Sequence, residues 1–174
     1  MRGLVSLLAL IILGVLSYMF YVNSRNNKIY VGSLAPAISL MTADGEMFHS
    51  KSLLGKIVIL DFWASWCAPC RKANAGLLRV YNKYKNAKFN NADGLVIVMV
   101  SLDDKEDYWK AGIAKDSLQN FIHVSDLRTW KNEAAIAYGI NSIPANFVIN
   151  ANGYVVNKMM DERELDLTLK KLLE

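Results

Sequence analysis

Cysteine, histidine and proline are scarce in this chain of 174 residues, which has two cysteines, two histidines and three prolines. Two cysteines are too few for the disulfide-rich scaffold of a small secreted protein. Because His49 and His123 are isolated in the sequence, we expect no metal site and no cofactor. With 53% hydrophobic residues and so little proline, the chain is neither disordered nor collagen-like. Its length suits one domain.

Acidic residues are absent before Asp44, which makes the distribution of the net charge of +4 uneven. Three basic residues precede that position: Arg2, Arg25 and Lys28. Without them the chain has 17 basic and 16 acidic residues. A nearly neutral domain gives no support for nucleic-acid binding.

The first 22 residues include a long apolar run. The 20 residues from Gly3 to Val22 carry no charge, and as a helix they would span about 30 Å, the thickness of a bilayer core. We therefore predict a single transmembrane anchor at residues 3–22, with a cleaved signal peptide as the alternative. Either segment implies export, so we expect the protein on the periplasmic side of the cell envelope. Residues 1–22 are assigned to the anchor or signal, 23–29 to a polar spacer and 30–174 to one domain.

The rest of the chain alternates between strand and helix patterns. Lys56–Trp63 and Leu95–Val100 are apolar, β-branched runs typical of buried strands. Helical patterns cover residues 70–84, 104–119, 133–138 and 162–173. Shorter strands are expected at Ala37–Met41, Glu46–Phe48, Phe121–Val124, Phe147–Ile149 and Tyr154–Met159, with turns at Asp44-Gly45 and Asn152-Gly153. This order predicts an α/β sandwich with a mixed sheet.

Both cysteines lie between a predicted strand and a predicted helix, in the sequence Cys67-Ala-Pro-Cys70. The N-terminus of a helix offers free N–H groups and the positive end of the helix dipole, and both stabilise a thiolate. Pro69 suits the first turn of the predicted helix, where the missing N–H of proline costs nothing. A structural disulfide across so short a loop would constrain the unfolded chain little, and a zinc site lacks ligands. The pattern therefore favours a redox dithiol.

The stretch from Asp61 to Cys70, DFWASWCAPC, resembles the active-site signature of the thioredoxin superfamily, and most of all the TlpA/ResA branch of membrane-tethered bacterial thiol–disulfide oxidoreductases. Residues 139–149 resemble the cis-proline loop of that superfamily. Residues 32–56 resemble an N-terminal hairpin extension of the branch, and residues 103–125 its central insertion. The resemblance implies a thioredoxin-like three-layer sandwich over residues 30–174.

The resemblance also implies roles for individual residues. Cys67 would be the attacking thiol and Cys70 the resolving thiol of a redox-active disulfide. Asp61 would be a buried carboxyl that moves a proton to or from Cys70, although a water-satisfied carboxyl at a strand end is an equal alternative. Pro144, in cis after Ile143, would shape a groove for an extended partner chain. The other residues of this substrate groove would be Trp66, Ala68 and Pro69, while Trp63 is either near the disulfide or part of the core.

This chain departs from many relatives after the second cysteine. Ala73 and Ala75 stand where those relatives have glutamate and proline. Without the glutamate, we expect Arg71 and Lys72 to be unopposed and the Cys67 thiol to be more acidic than in those relatives. Between Arg71 and Lys88 there are six basic residues and no acid, which we interpret as a solvated helix face rather than a docking patch.

The favoured function is a cell-envelope oxidoreductase that reduces disulfides of other proteins, with apocytochrome c among the substrates of relatives. Its partners would be protein thiols and disulfides, and a membrane or envelope dithiol would supply electrons. The alternative is a peroxiredoxin-like thiol peroxidase. That family's pattern needs proline at Leu60 and a hydroxyl residue at Ala64, and both are missing. A binding module without redox activity is a third hypothesis, which the intact cysteine pair disfavours.

Overall fold

The computed structural model describes residues 10–19 and 29–173. Residues 10–19 are helical and exposed. Within the described ranges, no helix has both the length and the apolar character needed to cross a membrane. The rest of the predicted anchor and nearly all of the predicted spacer lie outside the described residues, so the division into anchor, spacer and domain stays a prediction.

All the predicted strands and helices of the domain are present, with ends that differ from the expected ones by a few residues. Two short 3₁₀ helices, at Ser50–Leu53 and Thr129–Lys131, were not predicted. In chain order the elements are β1 (Ser39–Thr42), β2 (Met47–His49), β3 (Ile57–Trp63), α1 (Ala68–Tyr84), β4 (Leu95–Ser101), α2 (Glu106–Lys115), β5 (Ile122–Ser125), α3 (Glu133–Ala137), β6 (Ala145–Ile149), β7 (Val155–Lys158) and α4 (Glu162–Lys171).

The strands form one seven-stranded sheet in the order β2-β1-β5-β4-β3-β6-β7. The central strands β3, β4 and β5 are parallel, whereas the outer pairings are antiparallel. All seven residues of β3 are buried, as expected for a parallel strand that is covered on both faces. The predicted mixed sheet is confirmed. The N-terminal hairpin is β1–β2, and the central insertion supplies α2 and β5.

Helices cover both faces of this sheet. Right-handed crossovers from β3 to β4 and from β4 to β5 put α1 and α2 on the same face. Trp63 of β3 faces that layer, since a Cβ at Gly112 of α2 would lie 3.2 Å from its ring. Phe62 points to the opposite face, where its ring packs against Tyr138 and Phe147. The predicted three-layer sandwich is therefore confirmed.

Helix α1 begins at the cysteine pair for local reasons. Cys67 is the N-cap, with extended backbone angles, and a proline occupies the first turn. Gly76 lets α1 approach α4 closely, because a Cβ there would come within 2.8 Å of the Glu162 carboxylate. Helix α4 starts with a capping box between Asp161 and Glu164. These features fix where α1 begins and hold it against α4.

Candidate active site

Cys67 and Cys70 form a disulfide at the point where the chain leaves β3 and enters α1. The S–S distance is 2.03 Å and the Cα atoms are 5.3 Å apart. The Cys70 backbone N–H donates to Cys67 Sγ at 3.2 Å. This contact would stabilise a thiolate on Cys67 once the disulfide is reduced, since an N–H of the helix start donates to that sulfur. Cys67 is 5% exposed and Cys70 only 1%, so a partner reaches Cys67 more easily.

The predicted groove residues lie at the same end of the sheet as the disulfide. The Ile143–Pro144 peptide bond is cis, as the resemblance implied. Strand β6 begins at the next residue, Ala145, and is paired with Phe62 of β3. Pro144 therefore lies at the same end of the sheet as the cysteines. Of the predicted groove residues, Trp66, Ala68, Pro69 and Pro144 are exposed and Ile143 is half-buried.

Asp61 is a buried carboxyl in the middle of β3. It is 6% exposed, and its neighbours in register are Met99 of β4 and Asn146 of β6. Burial raises the pKa of Asp61 from 3.8 to about 8, because the carboxylate loses its water without gaining a compensating charge. Among the described residues its side chain has no hydrogen-bond or ion-pair partner. With its pKa at about 8, the carboxyl is mostly protonated at pH 7 and can give a proton, while its minor anionic form can take one.

The two tryptophans before the disulfide have different environments. Trp63 is completely buried and packs near His123, so it belongs to the core. Trp66 is 54% exposed, and its ring centroid is 6.4 Å from that of Trp130, at a tilt of 56°. Trp130, which is 44% exposed, was not predicted. The two rings form an aromatic surface next to Cys67.

The expectation that both basic residues after Cys70 are unopposed is wrong for Arg71. Asp116, just after α2, accepts hydrogen bonds from the Arg71 guanidinium and from the Asn74 amide. These contacts lower the pKa of Asp116. Lys72 is exposed. A carboxylate from the insertion thus neutralises one of the two cations, which removes half of the basis for an unusually acidic Cys67.

The remaining basic residues of α1 are also partly neutralised. Arg79 pairs with Glu162 and Lys83 with Asp166, both on α4. These ion pairs support the interpretation of the basic run from Arg71 to Lys88 as a helix face rather than a docking patch. The acids lie far away in the sequence, which is why the run looked uniformly basic.

A buried carboxylate holds the loop that leads into Cys67. Asp103, at the end of β4, is completely buried. It accepts hydrogen bonds from the Ser65 backbone N–H at 3.0 Å, from the Ser65 hydroxyl at 2.6 Å and from the Ser101 hydroxyl at 2.7 Å. Gly112 of α2 packs on the same serine, because a Cβ there would lie 2.9 Å from Ser65 Cβ. The insertion therefore fixes the backbone next to the disulfide.

Comparison with known proteins identifies the family. A family model described as thioredoxin-like matches residues 55–155. The chain belongs to the thioredoxin-like family. The thiol–disulfide oxidoreductase ResA of Bacillus cereus is 26% identical over 176 residues, which cover 95% of this chain and 93% of that protein. ResA of Bacillus subtilis is 28% identical over 154 residues, which cover 84% of this chain and 78% of that protein. A thiol–disulfide oxidoreductase structure from Bacteroides fragilis has a TM-score of 0.72 at 31% identity and covers 81% of this chain and 100% of that one.

The thioredoxin-like match contains the predicted catalytic and groove residues, from Asp61 to Pro144. It also contains Asp103, Asp116 and Trp130, which the sequence did not reveal. Only the folded structure reveals these three residues, because each lies far along the chain from the residue near the disulfide that it contacts. Only Asp103 has a local cue, because it is an acidic residue two positions after the apolar strand β4.

Proposed function

We propose that this thioredoxin-like protein is a thiol–disulfide oxidoreductase that reduces disulfide bonds of other proteins through Cys67 and Cys70. The observation that carries the proposal is the Cys67–Cys70 disulfide at the start of α1, where Cys67 Sγ already accepts a backbone N–H. The names of the relatives support it. The match to ResA of Bacillus cereus over 95% of this chain and the thioredoxin-like fold favour the same chemistry.

The reaction consists of two exchanges. The Cys67 thiolate attacks one sulfur of the substrate disulfide, forms a mixed disulfide and releases the other substrate sulfur as a thiolate. Cys70 then loses its proton and attacks Cys67 Sγ, which releases the second substrate thiolate. Two electrons move from the dithiol to the substrate, and Cys67–Cys70 becomes a disulfide again. An external dithiol must reduce it before the next cycle.

Asp61 would assist the second exchange. Its buried carboxyl has a pKa raised to about 8, so near neutral pH it changes protonation at little cost. The anionic form would accept the Cys70 proton before Cys70 attacks. In this role Asp61 is a proton carrier, and Pro144, Ile143, Trp66, Ala68 and Pro69 would contact the substrate chain.

The reducing direction rests on the residues around the pair. Ala68-Pro69 between the cysteines and Ile143 before the cis-proline resemble thioredoxin-type reductants more than strong oxidants, whose attacking thiol is more strongly stabilised. The neutralisation of Arg71 by Asp116 agrees with a less stabilised thiolate. A thiol peroxidase gains no support, because the position where that family has a hydroxyl is Ala64, which is completely buried.

We also propose that the protein acts on the periplasmic side of the cell envelope, anchored through residues 3–22. A membrane or envelope dithiol would supply electrons, and haem-binding cysteines of apocytochrome c are one substrate class that the resemblance suggests. Detection of the full-length chain in the membrane fraction, with its domain open to external protease, would support this location. A cytoplasmic domain would contradict it.

Single cysteine variants test the mechanism. Reduced wild-type protein is expected to reduce a protein disulfide stoichiometrically, and Cys67→Ala is expected to be inactive. Cys70→Ala should instead accumulate a mixed disulfide, since nothing resolves it. If Cys67→Ala forms the mixed disulfide and Cys70→Ala does not, the assigned roles are reversed. If neither variant loses activity, the proposed function fails.

A further inference from the structure

Five large apolar side chains are exposed near the turn between β6 and β7 and along the outer edge of β7. We call this surface the N-terminal patch. Their exposed fractions range from 46% to 65%. The patch consists of Tyr30, Val31, Leu34, Leu54 and Tyr154. Exposed clusters of large apolar residues mark sites where a soluble surface meets a partner or a membrane.

Backbone contacts make the patch one continuous surface. Residues 32–35 run beside residues 153–155, with hydrogen bonds from Gly32 N to Val155 O and from Ala35 N to Gly153 O. Leu34 and Tyr154 are direct bridge partners. A Cβ on Gly153 would lie 3.4 Å from Leu54 and 3.5 Å from Leu34. The two leucines therefore flank the same glycine, with Tyr154 next to it in the chain and Tyr30 further along the same edge, beside Lys158.

An apolar cavity opens behind the patch. Its volume is about 580 Å³, and Leu34, Leu54, Leu60 and Tyr138 are among the side chains that line it. Lys51 also lines it and is exposed. The patch thus combines protruding apolar side chains with an apolar recess and a cation at its edge.

The charges around the patch are mainly positive. Lys158 Nζ lies 5.7 Å from the centre of the Tyr30 ring, and Lys51 lines the cavity. Lys56 donates a hydrogen bond to the Asp93 backbone carbonyl, and the Asp93 carboxylate is the acid near this edge. Lysine and tyrosine around exposed leucines are the composition typical of surfaces that lie in the headgroup region of a bilayer.

The position of the patch in the chain indicates what covers it. The patch starts at Tyr30, eight positions after Val22, the last residue of the uncharged apolar run. Seven residues from 23 to 29 span at most about 25 Å when fully extended. A patch that begins so close to a membrane anchor is held near the bilayer surface, where its local concentration strongly favours contact.

We propose that the N-terminal patch docks the domain on the surface of a bilayer that contains anionic phospholipid. The leucines and tyrosines enter the headgroup region, and Lys51, Lys56 and Lys158 contact the lipid phosphates. The inference rests on the membrane anchoring proposed above and is independent of the redox chemistry.

Docking through Leu34, Leu54 and Tyr154, at the end of the sheet opposite the cysteines, would orient the active site. Leu54 comes shortly before β3 and Cys67 shortly after it, and a strand of this length spans about 20 Å. With the N-terminal patch on the membrane, the disulfide would point away from the bilayer. The site would then face soluble partners and the outer domains of membrane proteins.

Hydrogen exchange on the full-length chain tests the proposal. The protein is placed in nanodiscs of phosphatidylglycerol and, separately, of phosphatidylcholine. In phosphatidylglycerol, amides at residues 30–34, 51–55 and 152–155 are expected to exchange more slowly than in phosphatidylcholine. Residues 66–69 are expected to exchange equally in both. Leu54→Asp should lower the docking equilibrium constant at least about tenfold, because a leucine leaves the contact and a charge enters it.

Leu167→Asp is the matched control, because Leu167 is a 48% exposed leucine on α4 outside the patch. It should leave the exchange pattern unchanged. Equal exchange in both lipids, or equal effects of the two variants, would overturn the proposal. Protection that persists in detergent and grows with protein concentration would show self-association instead. A chain that does not join nanodiscs would overturn the anchor and the docking together, whereas disulfide reduction in the same sample would stay intact.

Discussion

The buried carboxyl of Asp61 makes the stability of the oxidised domain depend on pH in an unusual direction. In most proteins a folded carboxyl has a lowered pKa and stabilises the fold as the pH rises. Here burial raises the pKa of Asp61 from 3.8 to about 8. The unfolded chain therefore releases this proton at lower pH than the folded chain. The contribution of Asp61 to the free energy of unfolding is fully present below about pH 4 and is lost as the pH rises towards 8.

The size of the effect follows from the same values. At 1.36 kcal/mol per pH unit, the interval from 3.8 to about 8 corresponds to an upper limit of roughly 6 kcal/mol. Asp61→Asn keeps the shape of the side chain and removes the titration. Relative to this variant, the wild type should lose about 1.4 kcal/mol of unfolding free energy per pH unit in the middle of that interval.

This slope can be measured by urea unfolding at a series of pH values. The protein used is the oxidised domain, beginning at Lys28. The buried His123 has a lowered pKa, so its contribution is lost as the pH falls below about 6.5. That contribution is the same in both proteins and cancels in the difference. Parallel stability curves for the wild type and Asp61→Asn between pH 4.5 and 7.5 would refute the reasoning.

Three further substitutions test the contacts around the site. Asp116→Asn should destabilise the domain by about 2–3 kcal/mol in urea unfolding, because it leaves the partly buried Arg71 without its charged partner; Glu162→Gln, at a more exposed pair, should cost clearly less, and equal effects would contradict the account. Gly112→Ala should lower the free energy of unfolding by about 1–3 kcal/mol, because the new methyl group meets Ser65. An unchanged urea midpoint would show instead that the loop at Ser65 moves aside without cost. Trp130→Ala should slow reduction of a protein disulfide more than reduction of a small-molecule disulfide, since the indole is exposed beside Trp66; equal slowing would contradict a substrate contact.

Local sequence patterns were sufficient for most of the fold. Strand β3 is an uninterrupted apolar run that leads into a proline-started helix, and neither feature depends on distant residues. The ends of α2 were less accurate, because it stops at Lys115 where the pattern continued to 119. The helix ends because Ser117 takes a left-handed conformation, with φ of 58°, and the Leu118 N–H donates to the Ile113 carbonyl.

The candidate site was only partly predictable, because several of its contacts join segments that are far apart in the chain. Cys67 and Cys70 are three positions apart, so their spacing is visible in the sequence. The charge balance around them was misjudged, since the acid that neutralises Arg71 comes from the insertion. Trp130 was missed because no periodicity connects it to Trp66. Contacts between distant segments require the folded structure.

The equilibrium reduction potential of the Cys67–Cys70 pair tests the central claim most directly. It can be measured in graded thiol–disulfide buffers, with the fluorescence of Trp66 and the other tryptophans as the signal. A reversible two-electron transition at or below about −230 mV is predicted, as for thioredoxin-like reductants. A value near about −120 mV would make the protein an oxidant and contradict the assigned direction. The absence of any reversible transition would contradict the oxidoreductase itself.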